Sequence, residues 1–418
     1  MELYENRTDP ERAVLVAVDT GEYDCDSSLA ELEELADTAG AQVVGYLTQR
    51  REKPDNATFL GSGRLAELAE YCENNEIDLV ITDNELSPTQ QRNVEKAVNV
   101  KVIDRTALIL DIFADRAVSN EGKLQVELAQ LKYSLPRLTG QGTKLSRLGG
   151  GIGTRGPGET KLETDKRHIR RRITALEHQL DELEKRRNYT RARREKDRVE
   201  TVAIVGYTNA GKSTLLNTLT EAGVLAQDKL FATLDPTSRA ITLPDGRQVL
   251  LVDTVGFIRR LPHELVEAFK STLEEAANAK AIVIVCDCSD PECEEQLEVT
   301  EKLLDELGCT GTPVVIALNK CDRPDCNTGL MLRNKDAVKI SALTGEGVDD
   351  LLAAVSKALP PTRMRVKMLI PYSDGAAAAR LREDGAVHSE TYGENGITLD
   401  ITVKAELIDR YSSYVIPT

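Results

Sequence analysis

The sequence lacks several features that mark other classes of protein. It has no run of 18 apolar residues, and its first twelve residues, MELYENRTDPER, are polar and acidic. We therefore expect neither a membrane span nor a signal peptide. None of the eight cysteines stands in a C-x-x-C pair, which argues against a zinc site and favours free buried thiols in a reducing cytosol. The four histidines have no catalytic partners beside them, and we expect structural or surface roles for His168, His178, His263 and His388.

Positive charge is scarce overall but concentrated in one segment. The formal net charge of −16 argues against non-specific nucleic-acid binding by the whole surface. Between Gly142 and Arg198, however, there are 17 Lys and Arg but only 9 Asp and Glu. The local charge is therefore +8, which leaves −24 for the rest of the chain. This segment is suited to an anionic partner.

The first hundred residues alternate apolar runs with helical patterns, which predicts a parallel sheet covered by helices. The predicted strands are 13–18, 42–47, 78–82 and 100–103, and the predicted helices are 27–38, 64–74, 88–96 and 106–115. Ser87, Pro88 and Gln90 form a capping box with proline at the first helical position. The short glycine-rich stretch at 61–63 is too brief for a nucleotide signature and indicates a turn.

Two leucine-rich seams with the same 4-3-4-3 spacing follow. They are Leu124, Leu128, Leu131, Leu135 and Leu138, then Ile169, Ile173, Leu176, Leu180 and Leu183. This repetition predicts a projecting antiparallel helical hairpin, with a Thr160–Glu163 capping box on its second helix. Two ordinary amphipathic helices packed on a core are the alternative.

The segment joining these helices carries eight glycines between Gly140 and Gly158. Its G-x-G-x-x-G match has no preceding strand, so we reject a dinucleotide site. We interpret it as a basic tip that contacts RNA, with a disordered linker as the alternative. The candidate RNA-binding residues are Lys144, Arg147, Arg155, Lys161, Arg170 and Arg171.

The stretch from Gly206 to Ser213 reads G-x-x-x-x-G-K-S, between an apolar strand at 201–205 and a predicted helix at 214–221. Such a loop surrounds phosphates with backbone N–H groups. Lys212 adds a charge for the outer phosphates, and Ser213 offers a hydroxyl to Mg²⁺. The sequence thus predicts a nucleotide site.

Further motifs follow in order, most of them at the ends of predicted strands. Asp253-Thr-Val-Gly256 suits a magnesium-bound water and a γ-phosphate, and Thr233 offers a second hydroxyl to the metal. Asp322 of Asn319-Lys-Cys-Asp322 can accept two hydrogen bonds from guanine, and we expect its buried carboxylate to disfavour ATP. Ser341-Ala-Leu343 can offer a backbone N–H to the guanine O6. The remaining predicted strands and helices of this region lie at 249–253, 281–286, 314–318 and 338–340, and at 264–277, 293–308 and 347–358.

These motifs resemble those of the translation-factor-related GTPases and, among them, the HflX family. The matching stretches are LKYSLPRL (131–138), SRLGGGIGTRGPGETKLETDKR (146–167), FATLDPTSR (231–239) and DTVGFIRRLPHELVEAFKSTLEE (253–275). The resemblance covers essentially the whole chain. It implies a GTPase that binds the large (50S) ribosomal subunit and its rRNA and separates stalled or idle 70S ribosomes.

The predicted GTP-binding residues are Gly206, Tyr207, Thr208, Asn209, Ala210, Gly211, Lys212, Ser213, Thr214, Phe231, Ala232, Thr233, Leu234, Asp235, Asp253, Thr254, Val255, Gly256, Asn319, Lys320, Cys321, Asp322, Ser341, Ala342 and Leu343. Lys212, Thr233 and Gly256 are the predicted catalytic residues, and Ser213 and Thr233 the predicted Mg²⁺ ligands.

Catalysis is expected to be slow without a partner. Many GTPases carry a water-orienting glutamine after the glycine of this motif, whereas this chain has Phe257. Arg259 and Arg260 are candidates for charge stabilisation, although we favour ordinary surface arginines. Asn209 occupies the position at which potassium-activated GTPases ligate a monovalent cation, which suggests K⁺ beside Mg²⁺.

The expected fold class is α/β, with a P-loop GTPase domain, an N-terminal α/β domain bearing the helical hairpin, and a small α+β C-terminal module. The predicted boundaries are 1–115, 116–198, 199–360 and 361–418. We expect a monomer that binds GTP and GDP in the cytoplasm, with peripheral attachment to a membrane left open. The alternatives are a GTP-gated RNA-binding module, a tRNA-modification-type GTPase, and a second nucleotide site in the N-terminal domain.

Overall fold

The computed structural model describes residues 10–138, 161–196, 200–220, 230–231, 237–260, 276–326, 337–361 and 363–416. The chain divides into two compact units, Met1–Ala354 and Val355–Thr418. Within the described residues, no helix combines the length and the apolar character that a membrane crossing requires.

The N-terminal part is a four-stranded parallel sheet with strand order β2-β1-β3-β4. The strands are β1 (Arg12–Asp19), β2 (Gln42–Arg50), β3 (Leu79–Thr82) and β4 (Lys101–Asp104). The helices are α1 (Cys25–Thr38), α2 (Ser62–Asn74), α3 (Pro88–Val98) and α4 (Arg105–Arg116). Each predicted strand and helix of this region is confirmed within a few residues.

Strand β1 is central because both of its faces are buried. Ala13, Leu15 and Ala17 join a hydrophobic cluster with α1 and α4, while Val14 and Val16 join a second cluster with α2 and α3. An uninterrupted apolar run is what a strand buried on both faces requires. The predicted capping box at Ser87 is present, with Ser87 Oγ accepting from the Gln90 N–H.

Helices α5 (Asn120–Arg137) and α6 (Lys161–Lys196) pack against each other. Leu176 of the predicted seam is fully buried. Ion pairs join Glu127 to Arg172 at 2.7 Å and Lys132 to Glu177 at 3.1 Å. The predicted cap at Thr160 and the glycine-rich tip lie outside the described residues.

The nucleotide-binding region contains a six-stranded sheet with strand order β10-β9-β8-β5-β7-β6. Its strands are β5 (Glu200–Gly206), β6 (Ser238–Thr242), β7 (Gln248–Asp253), β8 (Ala281–Asp287), β9 (Val314–Asn319) and β10 (Val338–Lys339). The helices are α7 (Lys212–Thr220), α8 (Cys293–Glu306) and α9 (Val348–Ala358). Most of the helix predicted at 264–277 lies outside the described residues.

Strand β6 is not among the strands predicted from the sequence. It pairs antiparallel with β7 at the edge of an otherwise parallel sheet, and the turn at Asp245 and Gly246 connects the two strands. Its residues are mostly exposed, so no buried apolar pattern marks it.

The second unit contains a three-stranded antiparallel sheet with strand order β11-β13-β12. The strands are β11 (Arg363–Ile370), β12 (Ala386–Gly393) and β13 (Gly396–Lys404), and the helices are α10 (Gly375–Asp384) and α11 (Ala405–Arg410). The predicted α+β module is confirmed.

Candidate functional site

The predicted phosphate loop lies between β5 and α7. Strand β5 ends at Gly206 and helix α7 begins at Lys212, so the loop leads directly into a helix N-terminus, where backbone N–H groups favour anions. Gly211 has a φ of +96°, and a Cβ at this position would lie 2.2 Å from Nδ2 of Asn319. The loop therefore requires glycine here, both for its conformation and for its close approach to the Asn319 side chain.

Lys212 is buried, with 6% of its surface exposed. Its Nζ donates hydrogen bonds to the carbonyl oxygens of Gly206 (3.1 Å) and Tyr207 (2.7 Å). Burial lowers the pKa of Lys212 to about 8, although nearby Asp253 acts in the opposite direction. The ammonium group thus lies inside the loop in which we expect phosphates.

The segment Asp253–Gly256 follows β7 and lies against the phosphate loop. The buried Asp253 accepts a hydrogen bond from Ser213 Oγ at 3.1 Å. A Cβ at Gly256 would lie 2.9 Å from Thr208 Cα and 3.0 Å from Lys212 Nζ, so only glycine fits this approach. The backbones of the two loops are joined by bonds from the Thr208 N–H to the Phe257 oxygen and from the Phe257 N–H to the Gly206 oxygen.

The oxygen atoms of Ser213 and Asp253 suit Mg²⁺, which prefers hard oxygen ligands and retains several waters. No group of three or more His, Cys, Asp or Glu side chains that could hold a metal occurs among the described residues. The second predicted hydroxyl ligand, Thr233, lies outside the described residues.

Asn319, at the end of β9, connects the phosphate loop to the third loop of the site. Its Nδ2 donates to the Ala210 oxygen at 2.8 Å, and its Oδ1 accepts from the Ala342 N–H at 2.8 Å. Ser341 and Ala342 are buried, whereas Leu343 is 79% exposed. The three predicted motifs therefore meet at the carboxyl ends of parallel strands, as ligand sites of α/β sheets do.

The expectation that Asp322 is buried is wrong for the chain alone, because the structure leaves this residue exposed. It follows the end of strand β9 by three residues and stands in a surface turn. A bound guanine would have to bury it. Lys320 beside it is anchored, since its Nζ lies 2.6 Å from Asp287 Oδ2.

Backbone conformation also marks these loops. Asn209, Phe231 and Lys320, each in a predicted motif, have positive φ angles of 61°, 55° and 65°. Non-glycine residues in this region are uncommon and cluster at functional sites.

Phe231 and Val255 have buried side chains in a hydrophobic cluster shared with the N-terminal region. The ring of Phe231 packs edge-on against Phe113 of α4, with centroids 4.6 Å apart. Only their backbone atoms are therefore free to face a nucleotide. Ala232, Thr233, Leu234 and Asp235 lie outside the described residues.

Arg260 is exposed, as we expect of a surface arginine, and Arg259 is half-buried, but both are paired with side chains of the N-terminal region. Arg260 Nη2 contacts Asp83 Oδ2 at 2.5 Å, and its guanidinium lies 4.0 Å from the Tyr23 ring centroid. Arg259 is 15% exposed, donates to Ser27 Oγ at 2.6 Å and lies 2.7 Å from Glu292. Both arginines therefore attach the segment after Gly256 to the N-terminal sheet and helix α1.

Asp83 is the centre of this attachment. It is fully buried as a side chain and also accepts from Ser28 Oγ and from Arg105 Nη1, the latter at 3.0 Å. Burial raises the pKa of Asp83, but Arg260 and Arg105 outweigh that effect and hold it below its usual value. A second link joins Tyr207 of the phosphate loop to Glu31 of α1 at 2.5 Å.

These N-terminal contacts were not predicted from the sequence. The partners lie between 176 and 232 residues apart along the chain, so no spacing rule connects them. The position of Asp83 directly after β3 is the signal that could have suggested it, because polar residues at the carboxyl ends of parallel strands often serve sites.

A cleft of about 560 Å³ lies beside these contacts. Residues from α1, from the phosphate loop and from residues 319–326, here called the base loop, line it, among them Glu31, Asn209, Asp287 and Lys320. Its volume is within the range of small-molecule sites.

The structure describes the side chains of only two of the six candidate RNA-binding residues. Arg170 and Arg171 are exposed on α6. The side chain of Lys161 and all of Lys144, Arg147 and Arg155 lie outside the described residues.

The geometry and the sequence comparisons together define a P-loop GTPase. Three family models match consecutive stretches: GTP-binding GTPase N-terminal at residues 26–114, GTP-binding GTPase Middle Region at 116–194, and 50S ribosome-binding GTPase at 201–320. The second model covers the helix pair, and the third begins with the strand that carries the phosphate loop.

The chain belongs to the HflX family of GTPases. The GTPase HflX of Caldanaerobacter subterraneus is 52% identical over 408 residues, covering 98% of this chain and 94% of that protein. The Escherichia coli GTPase HflX is 41% identical over 403 residues, covering 96% and 94%. A GTP-binding protein from Sulfolobus solfataricus, solved in complex with GDP, is 27% identical, covers 83% of this chain and 98% of that chain, and has a TM-score of 0.45.

Proposed function

We propose that this GTPase acts on the large ribosomal subunit and uses GTP binding to separate 70S ribosomes into subunits. One observation carries the proposal: the long basic helix α6 ends at Lys196, ten residues before Gly206, where a phosphate loop with a buried lysine begins. The match of residues 201–320 to the 50S ribosome-binding GTPase family supports the same partner.

In this proposal the phosphates lie on the loop from Gly206 to Thr214, and the guanine ring lies at Asp322. Lys212 leaves the carbonyl oxygens of Gly206 and Tyr207 to contact the outer phosphates. The Gly256 N–H contacts the γ-phosphate. The side chain of Asn319 links the phosphate loop to the Ala342 backbone. It thereby fixes the distance between the phosphate-binding and guanine-binding parts of the site.

Mg²⁺, when bound, neutralises charge on the β- and γ-phosphates. Ser213 and Thr233 would hold it, and Asp253 would hold one of its waters. Asn209 is exposed and belongs to the loop on which the phosphates would lie, and it would ligate K⁺. Equal GTP hydrolysis rates in KCl and NaCl would contradict the potassium site.

Slow hydrolysis without a ribosome follows from Phe257. Its ring is 1% exposed and packs in the core of the GTPase sheet, so it cannot orient a water. The alternative function is an RNA-binding module whose attachment to RNA requires bound GTP. Slow hydrolysis also supports this alternative, because such a module needs GTP binding more than GTP turnover. A variant that hydrolyses GTP poorly but still splits ribosomes would favour that alternative.

Contact with rRNA is assigned to the basic residues of α6 and of the segment before it, from Lys144 to Arg171. We further propose four functional parts at 1–115, 116–198, 199–360 and 361–418, and a monomer that works in the cytoplasm. Peripheral attachment to membranes is left open.

Sedimentation of 70S ribosomes with the protein and GTP, a non-hydrolysable analogue or GDP tests the proposal. We expect loss of the 70S peak with both triphosphates and retention with GDP. Unchanged 70S under all three conditions would contradict splitting, while co-sedimentation without splitting would leave only ribosome binding.

A matched pair of double variants tests the RNA contact. Arg170→Gln with Arg171→Gln should weaken ribosome binding and reduce the slope of log affinity against log salt by about 1 to 2. Lys280→Gln with Lys302→Gln removes the same charge from exposed positions of the GTPase region and should leave the slope unchanged. If the two pairs weaken ribosome binding equally, the weakening results from the change in net charge and not from contacts of Arg170 and Arg171.

A further inference from the structure

Two cysteines that are distant in sequence meet beside the base loop. Cys288 follows β8, and Cys326 ends the turn that begins with Asn319-Lys-Cys-Asp322. Their sulfur atoms are 2.6 Å apart, although 38 residues separate them. Cys288 is fully buried, whereas Cys326 is partly exposed.

The pair is joined to the residues expected to recognise guanine. The Cys288 N–H donates to the Asn319 oxygen at 3.0 Å, and Asp287 beside it holds Lys320 at 2.6 Å. Within the turn, the Arg323 N–H donates to the Lys320 oxygen at 3.0 Å, and the Cys326 N–H to the Arg323 oxygen. Cys326 thus closes the turn in which Asp322 lies.

We propose that Cys288 and Cys326 form a reversible disulfide on exposure to a peroxide, and that this bond fixes the base loop. The Cys326 thiolate attacks a peroxide oxygen, so that an S–O bond forms, the O–O bond breaks, and one water leaves. The Cys288 thiol then attacks the Cys326 sulfur, the S–O bond breaks, and a second water leaves with the remaining proton. Two thiols are oxidised to one disulfide, and hydrogen peroxide is reduced to two waters.

Exposure sets the order of the two steps. Peroxide reaches Cys326 from solvent, while Cys288 lies against the core and resolves the intermediate. Burial, together with contact with Cys326, raises the pKa of Cys288 and keeps this thiol protonated, so it is not the group that first attacks the peroxide. Cys286 and Cys293 also interact, but both are buried, so a peroxide has no route to them.

The consequence for nucleotide exchange rests on the proposed guanine site, whereas the disulfide itself does not. A cross-link between the end of β8 and the turn removes the motion by which Asp322 would release the base. We therefore expect the oxidised protein to release GDP severalfold more slowly and to melt at a higher temperature.

Peptide mapping tests the bond without reference to nucleotide. The protein is treated with hydrogen peroxide, the remaining thiols are blocked with N-ethylmaleimide, and a digest is analysed by mass spectrometry with and without reductant. We expect a reducible peptide pair joining Cys288 to Cys326. A Cys321–Cys326 bond, a different pair, or irreversible oxidation of Cys326 alone would overturn the proposal.

Release of a fluorescent GDP analogue tests the consequence. Oxidation should slow release in the wild type, reductant should restore the rate, and both Cys288→Ser and Cys326→Ser should abolish the difference. Cys25→Ser, a partly exposed thiol at the start of α1, is the matched control and should behave as wild type. A mapped disulfide with unchanged release would reject the effect on the base loop, and failure of all variants to bind the analogue would instead contradict the nucleotide site.

Discussion

At the scale of single residues, the pKa of Lys212 predicts a proton uptake on GTP binding that can be measured. Its pKa of about 8 lies below the ordinary value of a lysine because the ammonium is buried. Phosphates would stabilise the charged form and raise that pKa again. Since the free protein is partly deprotonated above pH 8 and the complex is not, GTP binding should take up a proton there, and affinity should fall by up to about tenfold per pH unit.

Titration calorimetry of GTP binding in two buffers of different ionisation enthalpy measures this uptake. We expect a negligible Lys212 contribution well below pH 8 and a clear uptake at pH 8.5. Lys212→Arg is the control, because arginine stays protonated throughout this range. Equal proton uptake by the wild type and this variant would assign the effect to another group.

Phe257 allows a second prediction at this scale. Because its ring is buried in the core of the GTPase sheet, Phe257→Ala should lower the free energy of unfolding by about 3–5 kcal/mol. Phe257→Gln should also destabilise the protein and should not accelerate hydrolysis, since the side chain points into the core. Denaturant unfolding and phosphate release measure the two effects, and a faster Phe257→Gln variant would contradict the placement.

At the scale of elements, the helix pair depends on packing more than on its ion pairs. Leu176 is fully buried between α5 and α6, whereas Arg172 and Glu127 are about half exposed. Leu176→Ala should therefore cost about 2–5 kcal/mol of local stability, and Glu127→Gln should cost little because water screens exposed pairs. Hydrogen exchange of α6 measures both. Equal protection in the two variants would mean that the seam is not what joins the helices.

The same contrast explains which elements were predictable. The apolar run of β1 and the Ser87 capping box each follow from local chemistry, and the structure contains both. Strand β6 was missed because its residues are exposed and its formation depends on pairing with β7. Local pattern therefore predicts elements whose cause is local.

The site divides along the same line. The phosphate loop, Asp253–Gly256 and Asn319 were predicted because each lies at the end of an apolar strand and has a recognisable sequence. The attachment of Arg260 to Asp83 was not, since it depends on how a segment of the GTPase sheet meets the N-terminal sheet. Arg260 is exposed, as predicted, but no local pattern indicates its pairing with Asp83.

At the scale of the whole first unit, the N-terminal region holds both segments that should respond to the γ-phosphate. Phe231 is packed against Phe113, and Arg260 is bound to Asp83. Any rearrangement of these segments around a triphosphate must therefore break or preserve contacts with α1, α4 and the loop after β3. We therefore expect these contacts to contribute to the free-energy difference between the GTP-bound and GDP-bound conformations of the two segments.

Arg260→Ala tests this coupling and decides between two roles for the arginine. If Arg260 restrains the segment, its loss should raise GTP turnover without ribosomes severalfold; if it stabilises charge in the reaction, turnover should fall. We expect the rise, because its guanidinium is occupied by Asp83 and Tyr23. Arg64→Ala, which removes a partly exposed arginine from α2, should leave the phosphate release rate unchanged.

The pH dependence of this effect follows from Asp83. A carboxylate whose pKa is held down by arginines stabilises the fold above its unfolded pKa of about 3.9, and the stabilisation is lost as the pH falls through the lower folded value. The ratio of Arg260→Ala to wild-type turnover should therefore be constant between pH 6 and pH 9. A ratio that changes across this range would show that a group other than Asp83 controls the restraint, because Arg260 and Asp83 both keep their charge throughout it.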